Sequence, residues 1–405
     1  MNGLVLAVSR GIARVTGSAL GPYQTAVIRI GFSATWLLFL LREFPHRHEL
    51  YGPDGPWSHG LAEQLISDNG AFTALMWWDG AGWFEAVYAL SLLSSVLLLL
   101  GWRTRTVSVL FMVGVLSLQN RSIFMGDGGD NVLHLMSIYL VLTRCGQVWS
   151  LDARRARRAA GARARGERVA DRTGPALWAA FGFSLLVVTL AGRLDGDPFV
   201  PALLWTVWSA QGLWWAVGRW ARSGEPRILL DVVADIVHNG ALLVIMAEAC
   251  LIYATAGWYK IQGSRWQDGT AVHYPLHLDY FSPWPGLSEA LAANGTMVML
   301  ITYGTVAVQV AFPFTLFNRR VKNVLLFAMI TEHAVIAVVL GLPFFSLAMI
   351  AADAVFLPTS FLRRLGGWAA RARDRLVRRG DGRGTVPPPR AGREDAEQAH
   401  VGFTA

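Results

Sequence analysis

Long apolar runs, separated by short polar segments, follow one another along most of the chain. A helix needs about 20 apolar residues to cross the roughly 30 Å hydrocarbon layer of a bilayer, and it satisfies its own backbone hydrogen bonds there. The two-residue alternation of an outer-membrane barrel strand does not occur in these runs. The pattern therefore predicts an all-α fold, a polytopic integral membrane helical bundle of about ten spans. The predicted spans are residues 23–41, 83–100, 106–118, 132–142, 176–191, 199–217, 232–253, 296–317, 324–340 and 344–357.

Composition excludes an ordinary soluble protein, because 53% of the 405 residues are hydrophobic, 17 are tryptophan and only 16% are charged. The net charge of +8 does not indicate a nucleic-acid partner, since the arginines are concentrated in short segments between apolar runs. In that position they set the orientation of the chain and meet anionic lipid headgroups. The two cysteines, Cys145 and Cys250, lie in different surroundings and are not expected to form a disulfide.

The arginine-rich segments fall between alternate predicted spans, which predicts their side of the membrane. They are residues 103–105, 144–172, 219–227, 319–322 and the tail after residue 361. Because short cytoplasmic loops carry the excess of positive charge, we expect a multi-pass protein of the cytoplasmic membrane with both termini in the cytoplasm. The opposite, extracytoplasmic side then receives residues 50–82, 120–131, 257–295 and 341–343.

Segments outside the spans divide the chain further. Residues 1–20 are expected to form an interfacial amphipathic helix rather than a signal peptide, because the arginines follow the apolar residues. The transmembrane domain is predicted over residues 21–360 and contains an Arg-rich cytoplasmic linker at 153–172, for which docking to anionic lipid is the alternative. Residues 361–379 suit a basic interfacial helix, and 380–405 a disordered tail.

Lys260 follows a long apolar run and lies in a segment rich in glycine and aromatic residues, 256–271. A lysine at the edge of a hydrophobic layer either extends its ammonium group to the headgroups or serves a site, where desolvation can make it a base. The side chains of Trp258, Tyr259 and Trp266 are expected to surround it. Sequence spacing alone leaves both interpretations open.

Four ionisable residues are predicted inside spans: Glu248, Glu332, His333 and Asp353. Such residues usually face the bundle interior or a cavity and are candidates for function. A structural ion pair, for example between Arg29 and one of the acids, is the alternative.

Two further groups have a simpler interpretation beside the functional one. The turn at residues 126–131 lacks the strand, lysine and Ser/Thr of a phosphate-binding loop and suits a polar connection between spans. Asp231, Asp235 and His238 share one helical face, where acids favour the positive end of the helix dipole.

A zinc site is not predicted. His273 and His277 have the spacing of two ligands on one helical face, and Asp279 follows them. However, Pro275 lies between the two histidines and no HExxH pattern is present.

Four motifs together resemble one membrane family. They are Arg-Ile-Gly at residues 29–31, the turn from Asn-Arg at 120–121 to Gly-Gly-Asp at 128–130, Trp-Ser-Leu-Asp at 149–152, and Tyr-Ala-Thr-Ala-Gly-Trp-Tyr-Lys-Ile at 253–261 followed by Trp-Gln-Asp-Gly-Thr-Ala at 266–271. The chain resembles the horizontally transferred transmembrane (HTTM) domain family, bacterial relatives of vitamin K-dependent gamma-carboxylase that include the sporulation-delaying protein B group. The resemblance covers about residues 23–281, with 176–217 as an apparent inserted helix pair.

The resemblance implies quinol-linked chemistry of the carboxylase/epoxidase type at the extracytoplasmic face. In the carboxylases, the lysine that matches Lys260 deprotonates reduced vitamin K, oxygen adds, and the resulting strong base removes a proton from a glutamate before carbon dioxide attaches. By this resemblance the catalytic candidates are Lys260, Asp130 and His134, expected in one pocket. The cofactor-binding candidates are Trp258, Tyr259, Trp266, Arg29 and Glu248. The implied cofactor is a reduced menaquinone or vitamin K-type quinol, and the implied partner a secreted peptide or protein.

Two departures from the carboxylases keep other functions open. The carboxylases have a histidine where this chain has Asp130, with His134 one turn later, and they carry a large luminal region where this chain has a short basic tail. One alternative is a non-catalytic membrane protein for maturation, export or immunity of a secreted peptide. Another is a transporter that uses the buried carboxylates, against which the sequence offers no inverted repeat.

Overall fold

The structure is a computed structural model that describes residues 2–167, 171–194, 198–221 and 224–381. All regular structure in these ranges is helical, with no strand. The α-helices are α1 (Asn2–Gly17), α2 (Pro22–Glu43), α3 (Arg47–Tyr51), α4 (His59–Asn69), α5 (Ala81–Leu100), α6 (Thr104–Arg121), α7 (Gly128–Leu142), α8 (Leu151–Ala164), α9 (Thr173–Leu190), α10 (Phe199–Trp220), α11 (Glu225–Gln262), α12 (Ser264–Gln267), α13 (His273–Leu276), α14 (Pro285–Ala292), α15 (Gly295–Ala311), α16 (Arg319–Val339), α17 (Pro343–Asp353) and α18 (Thr359–Asp381). The 3₁₀ helices are Phe44–His46, Ala74–Met76, Ile123–Met125, Asp279–Phe281, Phe312–Thr315 and Ala354–Phe356.

The all-α prediction is confirmed over the described ranges, and each predicted span coincides with a helix. Among the described residues, six helical segments are long and apolar enough to cross a membrane, or seven if Pro343–Phe356 and Thr359–Arg375 count together as one span. These segments are typical of a membrane-embedded protein. They are Pro22–Tyr51, Ala81–Leu100, Thr173–Leu190, Glu225–Gln262, Gly295–Thr315 and Arg319–Val339. The remaining predicted spans lie on α6, α7, α10 and α17, so the count of about ten stays a prediction.

The centre of the bundle is α2, which packs against α5, α7 and α17, while α6 packs against α5 and α7. Small residues allow close contact between these helices, as they do in membrane bundles generally. A Cβ atom added to Gly31 would lie 2.4 Å from Ala351 Cβ, and one added to Gly114 would lie 2.6 Å from Ser91 Oγ. The buried Trp36 also contacts Ser91, because its indole N–H donates to the Ser91 hydroxyl at 3.0 Å.

The helices α9 and α10 form a pair that packs against the outside of α6 and α7. Trp178 and Trp208 stack with ring centroids 4.5 Å apart, and each indole N–H donates to the backbone carbonyl of the other residue. Gly182 leaves room for this stack, because a Cβ there would lie 2.4 Å from Trp208 Nε1. Their apolar contacts with the bundle include Val109, Met112, Leu116, Val141, Leu185, Val200 and Leu204.

The helix that carries Lys260 is longer than predicted. The predicted span ends with the apolar run at residue 253, but α11 continues without a break to Gln262. Gly257 does not end it, because this glycine packs directly on α15, where an added Cβ would lie 2.6 Å from Val310 Cγ2. Lys260 is therefore part of the helix and not of the turn that follows.

The segments outside the spans are more helical than predicted. The expected linker 153–172 is largely occupied by α8, whose first turn is capped by the Ser150 hydroxyl, which accepts the Ala153 N–H at 2.9 Å. The expected helix at 1–20 is α1, and the Asn239 amide nitrogen donates to the carbonyls of Val15 and Ser18 just at its end.

A second compact unit begins at Ser360 and contains most of α18. This helix covers the predicted basic helix 361–379, with exposed Phe361, Leu365 and Trp368 among its arginines. The predicted disordered tail, 380–405, lies almost entirely outside the described residues, which end at Asp381.

Candidate functional site

Lys260 is the first member of a row of polar side chains that crosses three helices. Its Nζ donates to Gln309 Oε1 on α15 at 2.8 Å, and Gln309 Nε2 donates to Glu332 Oε1 on α16 at 2.7 Å. Gln309 is buried, while Lys260 and Glu332 are half-buried. The amide of Gln309 is thus oriented with its oxygen toward the lysine and its nitrogen toward the carboxylate.

Glu332, the last member of this row, lies inside the apolar part of the bundle. At 1.5 Å per residue, Glu332 is about 20 Å along α16 from Arg319 and about 10 Å from Val339. A carboxylate at that depth is costly unless polar neighbours compensate it, so its presence indicates a functional position or a specific pairing.

A second group of polar side chains begins at His333, the residue after Glu332. The Tyr253 hydroxyl donates to Asp353 Oδ2 at 3.0 Å and lies 3.1 Å from His333 Nε2. When the single tyrosine proton goes to Asp353, His333 Nε2 is the nitrogen that donates to the tyrosine oxygen. All three side chains are at most 2% exposed. His333 Nδ1 and Asp353 Oδ1 have no hydrogen-bond partner among the described residues.

We call these six residues the intramembrane polar cluster. Its members are Tyr253, Lys260, Gln309, Glu332, His333 and Asp353. The structure thus brings together three of the ionisable residues predicted inside spans, whereas Glu248 lies apart and accepts a long bond of 3.5 Å from the Tyr139 hydroxyl on α7. Sequence reasoning missed Gln309 and Tyr253, although a lone glutamine inside the apolar run 296–317 was a visible signal.

Asp130 and His134 line a separate cavity of about 330 Å³ at the start of α7. The other lining residues are Trp36, Tyr51, Gln119, Asn120, Ser122, Ile123, Met125, Gly126, Asn131 and Leu135. Asp127 and Asp130 form a reciprocal cap for the helix, with the Asp127 N–H donating to Asp130 Oδ2 at 2.9 Å. Burial raises the pKa of Asp130 from 3.8 to about 6, against the opposing effect of that bond.

The expectation of one pocket for Asp130, His134 and Lys260 is corrected by the position of α17. Lys260 is not among the residues that line the cavity. The backbone of Phe345 packs on Gly129, where an added Cβ would lie 2.6 Å from Phe345 Cα, and the Phe345 ring lies 5.4 Å from that of His333. Phe345 therefore stands between the glycine turn and the intramembrane polar cluster.

The cavity beside Asp130 and the Lys260 side chain nevertheless lie toward the same end of the bundle. Arg144, just after α7, contacts His238 on α11, and Tyr139, earlier on α7, contacts Glu248, later on α11. The two helices are therefore antiparallel, so the beginning of α7 and the end of α11, with Lys260, point the same way.

Arg29 is neither among the residues that line the cavity nor hydrogen-bonded to the intramembrane polar cluster. It is fully buried, and its guanidinium donates to the backbone carbonyls of Leu98, Leu99, Cys145 and Trp149 at 2.5 to 3.2 Å. These carbonyls lie at the end of α5 and in the turn after α7, where a helix leaves its last carbonyls without intrahelical partners. Arg29 therefore joins two chain segments and does not pair with a carboxylate of the polar cluster.

The aromatic residues around Lys260 are also arranged differently from the expectation. Trp258 is 61% exposed and Tyr259 74% exposed, so both face away from the bundle. Only Trp266 contacts the lysine, with Nζ 5.2 Å from its ring centroid. A helix places residues two apart on different faces, which explains why Trp258 and Lys260 separate.

The Asp231, Asp235 and His238 group has a structural role, but not the expected one at a helix start, because α11 already begins at Glu225. Both aspartates pair with Arg144, and the Arg144 backbone N–H donates to His238 Nδ1 at 2.8 Å. His238 Nε2 therefore carries the proton and donates to the Leu20 carbonyl at 2.8 Å.

The two histidines with zinc-like spacing do not form a metal site with a third residue. The rings of His273 and His277 lie 4.1 Å apart, but the described residues contain no group of three His, Cys, Asp or Glu that could hold a metal.

Comparisons of the chain with protein-family models, with curated proteins and with solved structures find no match. The resemblance to the HTTM domain family therefore rests on the four sequence motifs.

Proposed function

We propose that the protein is a membrane-embedded enzyme of the quinol-linked, carboxylase/epoxidase type, with Lys260 as the base that takes a proton from a substrate hydroxyl. The motif around Lys260 suggests this role, and the intramembrane polar cluster supports it. A non-catalytic protein for a secreted peptide is the competing proposal, and the same variants distinguish the two.

The observation that carries the proposal is the incomplete pairing of Lys260. Among the described residues, its Nζ has one hydrogen-bond partner, the neutral amide of Gln309, and no carboxylate oxygen lies within 4.0 Å. A lysine buried only for structure is expected to pair directly with a carboxylate. The remaining hydrogen positions on Nζ leave it able to contact a substrate.

The choice of lysine over arginine also supports a base. Lys260 and Lys322 are the two lysines of a chain whose lysines and arginines number 36, so nearly all of its positive charge is arginine. An arginine cannot lose its proton at neutral pH, whereas a desolvated lysine can. A position that needed only charge would suit arginine here as it does elsewhere in this chain.

Glu332 gives the proton a favourable environment once Lys260 holds it. When the substrate hydroxyl loses its proton to Nζ, the lysine becomes an ammonium ion inside the bundle. The Glu332 carboxylate, linked through Gln309, offsets that charge without forming a direct ion pair that would keep the lysine permanently protonated. Glu332 and Gln309 are thus positioning residues for Lys260.

The cavity beside Asp130 is a candidate site for the head of a quinol. Its volume of about 330 Å³ is at the lower end of the range for small-molecule sites, about 300–1,000 Å³. Trp36 and Tyr51 offer aromatic surface, and the amides of Gln119 and Asn131 suit hydroxyl groups. A bound quinol would supply an acidic hydroxyl and reducing electrons. A quinol bound in this cavity would meet Asp130 and not Lys260, so the cavity is the alternative to a quinol site at Lys260 that is reached from the bilayer.

The proposed orientation places both termini in the cytoplasm and Lys260 at the extracytoplasmic side, in the cytoplasmic membrane, with about ten spans. The antiparallel contact of α7 and α11 supports one part of this topology, since it puts Asp130 and Lys260 toward one end. Anionic lipid and a secreted peptide substrate are the proposed partners.

The test is oxygen-dependent quinol oxidation by purified protein in lipid nanodiscs. Lys260→Arg and Lys260→Met should both fold and lose turnover, because neither can accept a proton. Lys322→Met is the matched control, since Lys322 Nζ donates to the Phe356 carbonyl away from the cluster. Asp130→Asn shows whether the cavity takes part. Wild-type protein without turnover, together with a Lys260→Arg variant that remains functional in cells, would favour the non-catalytic protein.

A proton-coupled transporter is the second candidate, favoured by the buried contact of Asp353, Tyr253 and His333. Chains of acids and histidines inside a membrane occur in proton relays. Proteoliposomes with a pH-sensitive dye inside would detect it: acidification that requires Asp353 but not Lys260 would favour transport over the quinol enzyme.

A further inference from the structure

Three arginines from different parts of the chain surround one tryptophan at the end of the bundle opposite to Lys260. Trp214 lies on α10, Arg105 on α6, Arg144 just after α7, and Arg227 on α11. Their Cζ atoms are 4.8, 5.4 and 4.6 Å from the centroid of the Trp214 ring. A guanidinium group near a tryptophan ring is attracted to it, so Trp214 brings the three cations together. We call these four residues the Trp214 arginine cluster.

The carboxylates at this cluster do not balance its positive charge. Arg144 pairs with Asp235 and, at 3.5 Å, with Asp231, and Arg227 Nε donates to Asp231 at 3.0 Å. No carboxylate oxygen of the described residues lies within 4.0 Å of the Arg105 guanidinium. Because each Cζ atom lies 4.6 to 5.4 Å from the same ring centroid, no two are more than about 10 Å apart, which is within about one Debye length, so the three cations repel one another.

Asp152 is the other acid near Arg105, and it is engaged elsewhere. It accepts the backbone N–H groups of Arg103 at 2.9 Å and Thr104 at 2.8 Å, and it pairs with Arg155 at 3.2 Å. It therefore stabilises the beginning of α6. The Arg105 side chain remains exposed, while its backbone carbonyl accepts a bond of 3.1 Å from Gln211 on α10.

We propose that the Trp214 arginine cluster binds a phosphate group, supplied by the headgroup of an anionic phospholipid. Guanidinium groups match the oxygens of a phosphate with paired, charge-assisted hydrogen bonds. The cluster lies where the ends of α6, α7, α10 and α11 meet, beside the arginine-rich segments that a membrane protein keeps at the headgroup level. This site is independent of the proposed catalytic function.

The position of the site gives the ligand a structural consequence. Trp214 and Gln211 belong to the helix pair α9 and α10, whereas the arginines belong to α6, α11 and the segment after α7. A phosphate that contacts all three arginines would remove their repulsion and hold the helix pair against the bundle. Binding should therefore raise the thermal stability of the whole protein.

The experiment measures the thermal unfolding of the full chain in mixed micelles as phosphatidylglycerol replaces phosphatidylcholine. We compare wild type with Arg105→Gln and with the matched control Arg157→Gln, which removes the same charge from an exposed site on α8. A third arm replaces the anionic lipid with inorganic phosphate. Arg105→Gln should need at least about fivefold more phosphatidylglycerol for half-maximal stabilisation, whereas the control should stay within about twofold of wild type.

A second measurement, in micelles without anionic lipid, distinguishes a lipid-binding arginine from one that only stabilises the fold. There Arg105→Gln should change the unfolding temperature less than it does with anionic lipid, because the lost contact with Trp214 is offset by the removal of repulsion between cations. Stabilisation by phosphatidylglycerol alone supports the lipid, and equal stabilisation by inorganic phosphate supports the same site with a soluble ligand. An equal loss of stability with and without anions, or an equal loss of lipid response in Arg157→Gln, would overturn the proposal.

Discussion

The hydroxyl of Tyr253 offers the sharpest test of the polar groups inside the bundle. Tyr253→Phe keeps the ring, which packs against Phe312 with centroids 6.0 Å apart, and removes only the oxygen. That oxygen donates to Asp353 at 3.0 Å and lies 3.1 Å from His333 Nε2. The substitution therefore leaves two buried polar groups with one partner fewer each, and both already carry an atom without a partner.

The size of the effect follows from two bounds. A buried polar group without its partner costs about 1–3 kcal/mol in proteins generally. Hydrogen bonds inside membranes average about 0.6 kcal/mol and reach about 1.7, because the unfolded chain in lipid also finds partners. With two bonds lost, we expect Tyr253→Phe to lower the free energy of unfolding by about 1–3 kcal/mol.

Tyr139→Phe is the matched control, because its half-buried hydroxyl makes a single long bond of 3.5 Å with Glu248. We expect a loss below about 0.5 kcal/mol there. Equilibrium unfolding by SDS in mixed micelles measures both losses. The readout is the reaction of the buried Cys145 with a thiol dye in a Cys250→Ala background. Equal losses for Tyr253→Phe and Tyr139→Phe would refute the arrangement of the cluster.

Three further predictions concern other parts of the molecule. Because the pKa of Asp130 is raised to about 6, its contribution to stability is complete below its ordinary pKa of 3.8 and is lost as the pH rises through about 6. Wild type should therefore lose stability relative to Asp130→Asn between these two pH values. A stability difference that stays unchanged from pH 4 to 7 would argue against burial of the carboxyl group. Gly101→Ala should destabilise the protein by about 1–3 kcal/mol, because Gly101 has φ +69° and an added Cβ would lie 2.4 Å from Ser150 Cβ. Gly304→Ala should be neutral or stabilising by up to about 1 kcal/mol, because an added Cβ there would have no atom within 4 Å. Titration with denaturant or SDS compares the two variants. Single cysteines at Ser264 and Gly128 should be labelled from outside intact cells and one at Ala160 should not, and labelling of Ala160 would contradict the proposed orientation.

The helices were predictable because the signal is local. A run of apolar residues favours a buried helix whatever its neighbours are, which is why each predicted span coincides with a helix. The end of α11 was missed because Gly257, Lys260 and Gln262 interrupt the apolar run after Tyr253 while the helix continues. Contacts of Gly257 with α15, which no local pattern reveals, stabilise that extension.

The ionisable residues of the intramembrane polar cluster were predictable from the cost of burying charge, and its neutral residues were not. Glu332, His333 and Asp353 attract attention in a sequence because burying an ionisable group is costly. Gln309 and Tyr253 carry no charge, and only the packing of α15, α11 and α16 reveals that they connect the ionisable groups. The contacts of Arg29 could not be predicted, because its partners are backbone carbonyls, which have no signature in a sequence.

The geometry of α11 bears on whether Lys260 is only an anchor in the headgroups. The stretch from His238 to Lys260 rises about 33 Å, close to the hydrocarbon thickness of about 30 Å, so Lys260 lies near the surface opposite to the Arg144 contacts. A lysine at that level could extend its ammonium group to water. Its Nζ instead donates to the buried Gln309, toward a carboxylate about 10 Å inside the end of α16. Since an anchoring lysine gains nothing from turning inward, the direction of this side chain favours a role inside the bundle.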